Sequence, residues 1–405
     1  MKTISILVIA ALAAAGCAAS ATPREKVIYS FNPAIGDGAQ PQGGVIMDGQ
    51  GNLYGTLQDG AGGGCGGGGC GAVFKLTPKG EETILHVFSG DDGAYPVPGL
   101  VADAAGNLYG TALDGGPIHH CACGVVFKLT ADGQFSIVHA FRGGVDGAHP
   151  VAALVVDKRG DLIGTTVDGG TDCNGTGEGC GTVFKIKPDG RKVVLHAFGG
   201  ADGIAPESDL TLDASGNIYG TTGNGGSDCD GTGQGCGVIF KLAPDGTQTT
   251  LYVFEGASHG AYPTGGVIMD EAGTLYGTTN NGGIDCDGSG GCGTVYKLAP
   301  DGTETGLHSF TGGSDGEHPR ATLVMDGAGR MYGTAVEGGS ENDGGVVFEI
   351  KPGGGERIVY AFTGGNDGGG PFGPLMMDGR RGELYGTTFT GGTDFFGTVF
   401  KLSPR

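Results

Sequence analysis

Tryptophan is absent from this chain of 405 residues, and basic residues are scarce. Lys and Arg number 23 against 44 Asp and Glu, which gives a formal net charge of −21 at pH 7. A protein that binds nucleic acid needs a basic footprint, so this balance excludes nucleic acid as a partner. The chain also lacks long stretches with apolar residues at helical spacing, nucleophile motifs and phosphate loops. No enzyme class is therefore indicated directly.

Glycine, by contrast, is abundant, with 91 residues. Such abundance without a period would indicate disorder, but a period is present. The motif Leu-Tyr-Gly-Thr and its close variants recur at a mean step of about 55 residues. The seven copies place their glycine at Gly55, Gly110, Gly164, Gly220, Gly277, Gly333 and Gly386.

Each repeat contains four short strand-like runs, which we name A, B, C and D. In the first repeat they cover residues 44–48, 52–56, 73–76 and 84–88. Their Val, Ile, Tyr and Phe content predicts strands, and the Gly- and Pro-rich connections predict turns. Four antiparallel strands repeated seven times are typical of a β-propeller.

The chain ends support a closed ring. The last repeat stops after its C strand at 399–402, whereas an extra D-type strand at 27–31 precedes the first A strand. We therefore predict an all-β, seven-bladed propeller over residues 22–405, with strand 26–31 paired to strand 398–402. This pairing would close the last blade with the N-terminal strand and remove an exposed sheet edge.

The repeat motifs resemble a known family. The units read Gly-Asn-Leu-Tyr-Gly-Thr, then Gly-x-Val-Phe-Lys-Leu-x-Pro, Leu-His-x-Phe and Asp-Gly-x-x-Pro, and are similar to the Gloeo_Verruco (GloVer) tandem repeat of bacterial choice-of-anchor proteins. The resemblance implies attachment to a cell surface and implies no activity. Local departures are Ile163 for Tyr, Thr274 and Arg330 for Asn, His259 for Asp and Glu349 for Lys.

The N-terminus predicts export. Lys2 precedes an apolar run at 4–15, which has the length of a signal-peptide core, so we assign residues 1–21 to a signal region. Ala14-Ala15-Gly16-Cys17 resembles a lipobox, which would leave Cys17 lipidated at the mature N-terminus. Cleavage after Ala21 with free secretion is the alternative. In both cases the expected location is extracytoplasmic. The protein would be an outer-membrane or cell-surface lipoprotein that contacts the membrane only through its lipid, or it would be a secreted protein.

The cysteines also predict an oxidising compartment. Besides Cys17, ten cysteines fall in pairs within the B–C loops, which predicts one local disulfide per loop in an oxidising compartment. The pairs are Cys65 with Cys70, Cys121 with Cys123, Cys173 with Cys180, Cys229 with Cys236, and Cys286 with Cys292.

The B–C and D–A loops emerge on one face of an antiparallel blade ring, which we call the loop face. Because binding residues concentrate on variable loops of a rigid scaffold, we predict that this face is functional. The expected function is a binding module for a protein or glycan ligand, acting as a monomer.

Two loop sets could hold a metal. Aspartates at alternate positions followed by Gly resemble the front half of a calcium loop, but no acidic residue stands at the twelfth position, which favours a disulfide-stapled turn. These are Asp228, Asp230, Asp285 and Asp287. His119 and His120 beside Cys121 and Cys123 would suit Zn or Cu, with a structural role as the alternative. Calcium is the expected cofactor, if one is bound.

Residues that break the repeat are candidates for a site. At the start of the A strands most blades have Gly, Ala or Pro four and five places before the terminal Asp, whereas blade four has Glu207-Ser208-Asp209 before Asp213. Blade six has Arg320, and a blade-five loop has His259. Carboxylates, a base and a cation on neighbouring blades are the groups that acid/base chemistry needs. The alternative function is therefore a propeller hydrolase or lyase at the channel mouth, and surface accident is the competing explanation.

Overall fold

The structure is a computed structural model that describes residues 24–62, 64–118, 121–172, 177–229, 233–284, 286 and 290–404. Strands β1 to β28 form seven four-stranded antiparallel sheets, each a blade of a β-propeller. The predicted fold class is confirmed.

The strands follow the chain order. Strand β1 is Arg24–Ser30. Blade one contains β2 Ile46–Met47, β3 Leu53–Leu57, β4 Ala72–Leu76 and β5 Glu82–Val87. Blade two contains β6 Val101–Ala102, β7 Leu108–Ala112, β8 Val125–Leu129 and β9 Phe135–Ala140. Blade three contains β10 Val155–Val156, β11 Leu162–Thr166, β12 Thr182–Ile186 and β13 Lys192–Ala197. Blade four contains β14 Thr211–Leu212, β15 Ile218–Thr222, β16 Val238–Leu242 and β17 Gln248–Val253.

Blade five contains β18 Ile268–Met269, β19 Leu275–Thr279, β20 Thr294–Leu298 and β21 Glu304–Ser309. Blade six contains β22 Val324–Met325, β23 Met331–Ala335, β24 Val346–Ile350 and β25 Glu356–Ala361. Blade seven contains β26 Met376–Asp378, β27 Glu383–Thr388 and β28 Thr398–Ser403, and β1 is its fourth strand. Five short 3₁₀ turns occur in the described loops, at Pro33–Ile35, Cys65–Gly67, Gly144–Asp146, Ala257–His259 and Gly313–Asp315.

The two chain ends close the ring. Strand β1 pairs antiparallel with β28, from Arg24 opposite Ser403 to Ser30 opposite Thr398. The predicted closing strand is therefore present. It gives β28 a hydrogen-bonded neighbour on each side, so blade seven has the same strand number as the other blades.

An aromatic contact joins each blade to the next. The Phe that follows each D strand meets the C-strand aromatic ring of the following blade edge to face, with ring centroids 5.0 to 5.2 Å apart. The seven pairs are Phe31–Phe74, Phe88–Phe127, Phe141–Phe184, Phe198–Phe240, Phe254–Tyr296, Phe310–Phe348 and Phe362–Phe400. These rings lie in core clusters that combine residues of adjacent blades.

The Leu-Tyr-Gly-Thr motif is explained by this packing. A Cβ on Gly55 would lie 2.6 Å from the Phe74 ring, so only glycine leaves room for that ring. The next residue, Thr56, donates its hydroxyl to the carbonyl of Pro98 in blade two at 2.9 Å. Tyr54 donates to Asp48 at 3.0 Å, which ties strand B to the A–B turn.

The outer rim brings charged groups of adjacent blades together. Lys192 pairs with Asp146 at 2.9 Å, and His259 pairs with Glu304 at 3.2 Å. At three other blade boundaries the same two positions are both acidic. There, burial first and repulsion from the neighbouring Asp second raise the Glu pKa to about 7, and one Glu oxygen is buried without a hydrogen-bond partner. These pairs are Glu82 with Asp37, Glu356 with Asp315, and Glu25 with Asp367.

Within the described residues no helix has the length and hydropathy that a membrane-spanning helix requires.

Replacing Phe31 tests the closure of the ring. Phe31→Ala is expected to lower the free energy of unfolding by about 3–5 kcal/mol, because Phe31 is fully buried against Phe74. The matched control is Phe88→Ala, the same position within blade one, and equal losses are expected in denaturant melts. A much smaller loss for Phe31→Ala would contradict a closed ring.

The acidic pairs predict the pH dependence of stability. Since the folded pKa of Glu82 lies above its ordinary value of 4.5, the native state binds a proton more tightly, and stability falls as pH rises from about 4.5 to 7. Glu82→Gln is expected to raise the melting temperature by about 1–3 °C at pH 8 and to leave it unchanged near pH 4.5. Glu304→Gln, which loses its contact with His259, serves as the control and should not raise it. The same rise at both pH values would refute this interpretation.

Candidate binding site at the channel mouth

A cavity of about 490 Å³ opens on the loop face at the centre of the ring. Each A strand is preceded by the same residue, a proline, at Pro41, Pro96, Pro150, Pro206, Pro263, Pro319 and Pro371. The residue after each proline lines the cavity and differs among the blades, apart from two valines. These residues are Gln42, Val97, Val151, Glu207, Thr264, Arg320 and Phe372. We call them the mouth residues.

The residue before each proline fixes the backbone of the mouth to the preceding blade. In six blades it is a non-glycine residue with φ between 55° and 58°, and in blade seven it is Gly370 with φ 62°. This left-handed conformation directs its N–H to the B–C loop of the preceding blade. Tyr95 thus donates to the carbonyl of Cys70 at 2.9 Å, and His149 donates to that of Cys123 at 3.0 Å. The mouth residues therefore follow a backbone that two blades hold.

Asp209 of blade four forms hydrogen bonds with residues of two other blades. Its carboxylate accepts the backbone N–H of Ala153 at 2.9 Å and the hydroxyl of Thr322 at 3.1 Å. The Thr322 hydroxyl accepts the N–H of Gly266 at 3.0 Å. Burial raises the pKa of Asp209 even though these hydrogen bonds oppose the shift. Asp209 thus links blades three, four and six, and its carboxylate is already occupied by protein donors.

Arg320 is held in place from two sides. Its Nε donates to the side-chain oxygen of Asn280 at 2.8 Å, and its guanidinium carbon lies 5.8 Å from the centroid of the Phe372 ring. Phe372 in turn meets Phe389 edge to face at 5.2 Å. Within the described part of the chain the two terminal nitrogens of Arg320 have no hydrogen-bond partner. They are therefore available to a ligand in a fixed geometry.

Glu207 is the acidic member of the mouth. Burial raises its pKa, the charge of Arg320 lowers it, and Asp168 raises it, with a net upward shift. No hydrogen bond to its carboxylate occurs among the described residues. Blade four has Gly223 where blade two has Leu113, and a Cβ on Gly223 would lie 4.0 Å from the carboxyl carbon of Glu207. The glycine leaves open space beside the carboxylate.

The four residues predicted as a catalytic set divide into two groups. Glu207, Asp209 and Arg320 line one cavity. His259 lies on the outer rim, 53% exposed, and contacts Glu304. Sequence reasoning missed Phe372, Asn280 and Gly223. Aligning the residues after each proline would have revealed Phe372, but the contacts of Asn280 and Gly223 depend on ring geometry.

Four of the predicted disulfides lie within the described residues and are formed. Their Cα atoms are 5.1 to 5.9 Å apart in Cys65–Cys70, Cys121–Cys123, Cys229–Cys236 and Cys286–Cys292. Cys180 is also disulfide-bonded, and its predicted partner Cys173 lies outside the described residues. These bridges lie in the B–C loops of the loop face.

Most of the other predicted ligand and modification positions fall outside the described residues. These are Cys17, His119, His120, Asp230, Asp285 and Asp287, whereas Asp228 is described. In the described part of the chain one group of three potential metal ligands occurs, formed by Cys286, Cys292 and Glu317. Its two cysteines are bonded to each other, which leaves one carboxylate.

Comparison with solved structures shows the fold alone. A gluconolactonase from Xanthomonas campestris is 14% identical, with coverage of 94% of this chain and 89% of that chain and a TM-score of 0.46. A proposed gluconolactonase is 13% identical, with coverage of 95% and 92% and a TM-score of 0.44. The extracellular domain of a proposed one-component system from B. thetaiotaomicron is 14% identical, with a TM-score of 0.53, and the match covers 91% of this chain and 41% of that chain.

No curated protein matches the chain. The sequence profile of the Gloeobacter/Verrucomicrobia repeat, however, matches residues 14–177, 123–289 and 230–405, which together span nearly the whole sequence. The chain belongs to the Gloeobacter/Verrucomicrobia repeat family.

Proposed function

We propose that this chain is an extracytoplasmic, surface-anchored binding module that holds a protein or glycan ligand at the channel mouth. One observation carries the proposal. Around the ring the proline before each A strand never changes, whereas the mouth residue beside it varies in charge, polarity and size. A regular scaffold that presents different side chains from its blades to one cavity supplies a surface for recognising an asymmetric ligand.

The chemistry of the mouth supports binding. Arg320 offers two terminal nitrogens for a carboxylate or hydroxyl, and Glu207 offers an acceptor on the neighbouring side of the cavity. Phe372 and Phe389 provide an apolar surface against which a sugar ring or an apolar side chain can pack. Fixed polar groups beside an apolar wall are the usual composition of a ligand pocket.

A hydrolase or lyase at the same mouth is the second candidate, and the meeting of Glu207, Asp209 and Arg320 in one cavity favours it. Against it, Asp209 is occupied by Ala153 and Thr322, and His259 is distant from the cavity. Mass spectrometry of a bound glycan after incubation separates the two functions, because a binding module leaves the glycan intact.

The proposed anchoring is supported by Cys17 and the signal region, and by disulfides, which persist in oxidising compartments. We expect mass spectrometry of the mature N-terminus to show a lipid-modified Cys17. An unmodified N-terminus at Thr22 would show free secretion instead.

Variants of the mouth test the binding function. On a glycan array, we expect Arg320→Gln to weaken the affinity for the bound glycan at least about tenfold, because a charge-assisted hydrogen bond is lost. Gly223→Leu should weaken it similarly by filling the space beside Glu207, since blade two already accommodates Leu113 at that position. Arg142→Gln, which changes an exposed arginine of the loop face away from the mouth, is the control.

Thermal melts should show that all three variants remain folded. If a glycan binds the parent chain and both mouth variants with the same affinity, the result contradicts ligand binding at the mouth. An array with no bound glycan contradicts the glycan ligand.

Calcium at the blade-four and blade-five loops stays a prediction. If Asp228 and its neighbouring aspartates bind it with an affinity on the order of 0.1 to 1 mM, millimolar calcium should raise the melting temperature and EDTA should reverse the change. A melting temperature indifferent to both would leave these aspartates as turn formers.

A further inference from the structure

Basic residues are distributed unevenly between the two faces. Among the described residues, every Lys and Arg other than Arg142 and Arg320 lies on a C or D strand, or in an A–B or C–D turn. We call the side of the disc formed by these turns the turn face. The acidic residues of the B–C and D–A loops therefore have few basic neighbours, and the scarce positive charge of the chain is concentrated on the other side.

A second cavity, of about 400 Å³, lies on the turn face between blades seven and one. The A–B turns of both blades, the C–D turn of blade one and strand β1 contribute to it. Five basic residues line it, which are Lys26, Lys79, Arg380, Arg381 and Lys401. We call this group the closure cluster, because it surrounds the strand that closes the ring.

Two carboxylates form ion pairs with residues of the closure cluster. Glu383 contacts Lys401 at 2.6 Å and Arg381 at 3.8 Å, and Asp378 contacts Arg380 at 3.4 Å. Both arginine side chains are 70% exposed. Lys26 and Lys79 form no ion pair with any residue that the structure describes. The closure cluster thus has an excess of positive charge in a chain of net charge −21.

The closure cluster also lies where the chain leaves the propeller toward its N-terminus. Strand β1 begins at Arg24, and Lys26, two residues later, lines the cavity. Cys17 precedes Arg24 by seven residues, and seven residues can span at most about 25 Å. A lipid on Cys17 would therefore hold this part of the turn face within reach of the membrane surface.

We propose that the closure cluster binds anionic phospholipid headgroups, so that the turn face lies on the membrane and the loop face points away from it. The inference rests on the surface anchoring in the proposed function. A lipid on Cys17 would hold the closure cluster near the bilayer, where each Lys or Arg close to an anionic surface is attracted to it. The same orientation leaves the channel mouth open to ligands from outside.

The test uses the mature chain from Cys17 onward, made without its leader so that it carries no lipid. Cosedimentation is measured with vesicles of phosphatidylcholine alone and with vesicles containing phosphatidylglycerol, at low and at high salt. We expect binding to the phosphatidylglycerol vesicles, weakening at high salt, and little binding to phosphatidylcholine.

Paired variants localise the contact. Arg380→Gln with Arg381→Gln should weaken vesicle binding about tenfold or more. Lys158→Gln with Arg159→Gln is the matched control, because it removes two consecutive basic residues from the corresponding A–B turn of blade three. The control should change binding less than about twofold.

Equal losses in both double variants, or equal binding to both kinds of vesicle, overturn the proposal. Loss of vesicle binding in millimolar inorganic phosphate at constant ionic strength would also overturn it, by showing a site for free anions. Arg320→Gln acts on the opposite face and should leave vesicle binding unchanged. Failure of vesicle binding and failure of ligand binding at the mouth are therefore distinguishable.

Discussion

The edge-to-face contact between the Phe after each D strand and the C-strand ring of the next blade is the interaction on which the rest of the structure depends. Each blade is a small sheet that cannot bury both of its faces by itself, so its stability comes from its two neighbours. The contact also explains the repeat motif, because the glycine of Leu-Tyr-Gly-Thr leaves room for the C-strand ring. Since Phe31 makes the contact with Phe74, the N-terminal strand is part of the core.

The same framework determines where variation is possible. Every blade uses its proline and the left-handed backbone of the residue before it to connect to the preceding blade, so the proline and this backbone conformation are the same in all seven blades. The residue after the proline lines the cavity and takes six different identities in the seven blades. The mouth residues therefore vary around the ring while the framework remains the same. Asp209 replaces a small residue of most other blades. Its carboxylate is satisfied by hydrogen bonds from the backbone of Ala153 and the hydroxyl of Thr322.

Much of the fold could be predicted from the sequence because the repeats are local. Strand period, turn residues and the displaced D strand indicated seven blades and their closure without any knowledge of long-range contacts. The departures from the repeat were visible too, but their partners were not. Arg330 pairs with Asp326, and Glu349 pairs with Arg357 across neighbouring strands. His259 contacts Glu304 of the next blade, which separates it from Glu207 and Arg320. The pairs of Arg330 and Glu349 lie within one blade and depend on the register of its turn and strands, whereas the contact of His259 depends on how the loops are placed around the ring. Composition and spacing alone contain neither kind of information.

Amide hydrogen exchange in strand β1 tests the closed ring most directly. The ladder between β1 and β28 is equivalent to the ladder between strands C and D in every other blade. If the ring is closed by the N-terminal strand, the hydrogen-bonded amides of β1 should exchange as slowly as those of β5 and β9, within about tenfold, because all of them open only with the whole domain. Exchange in β1 that is faster by several orders of magnitude, with β5 and β9 still protected, would contradict the account.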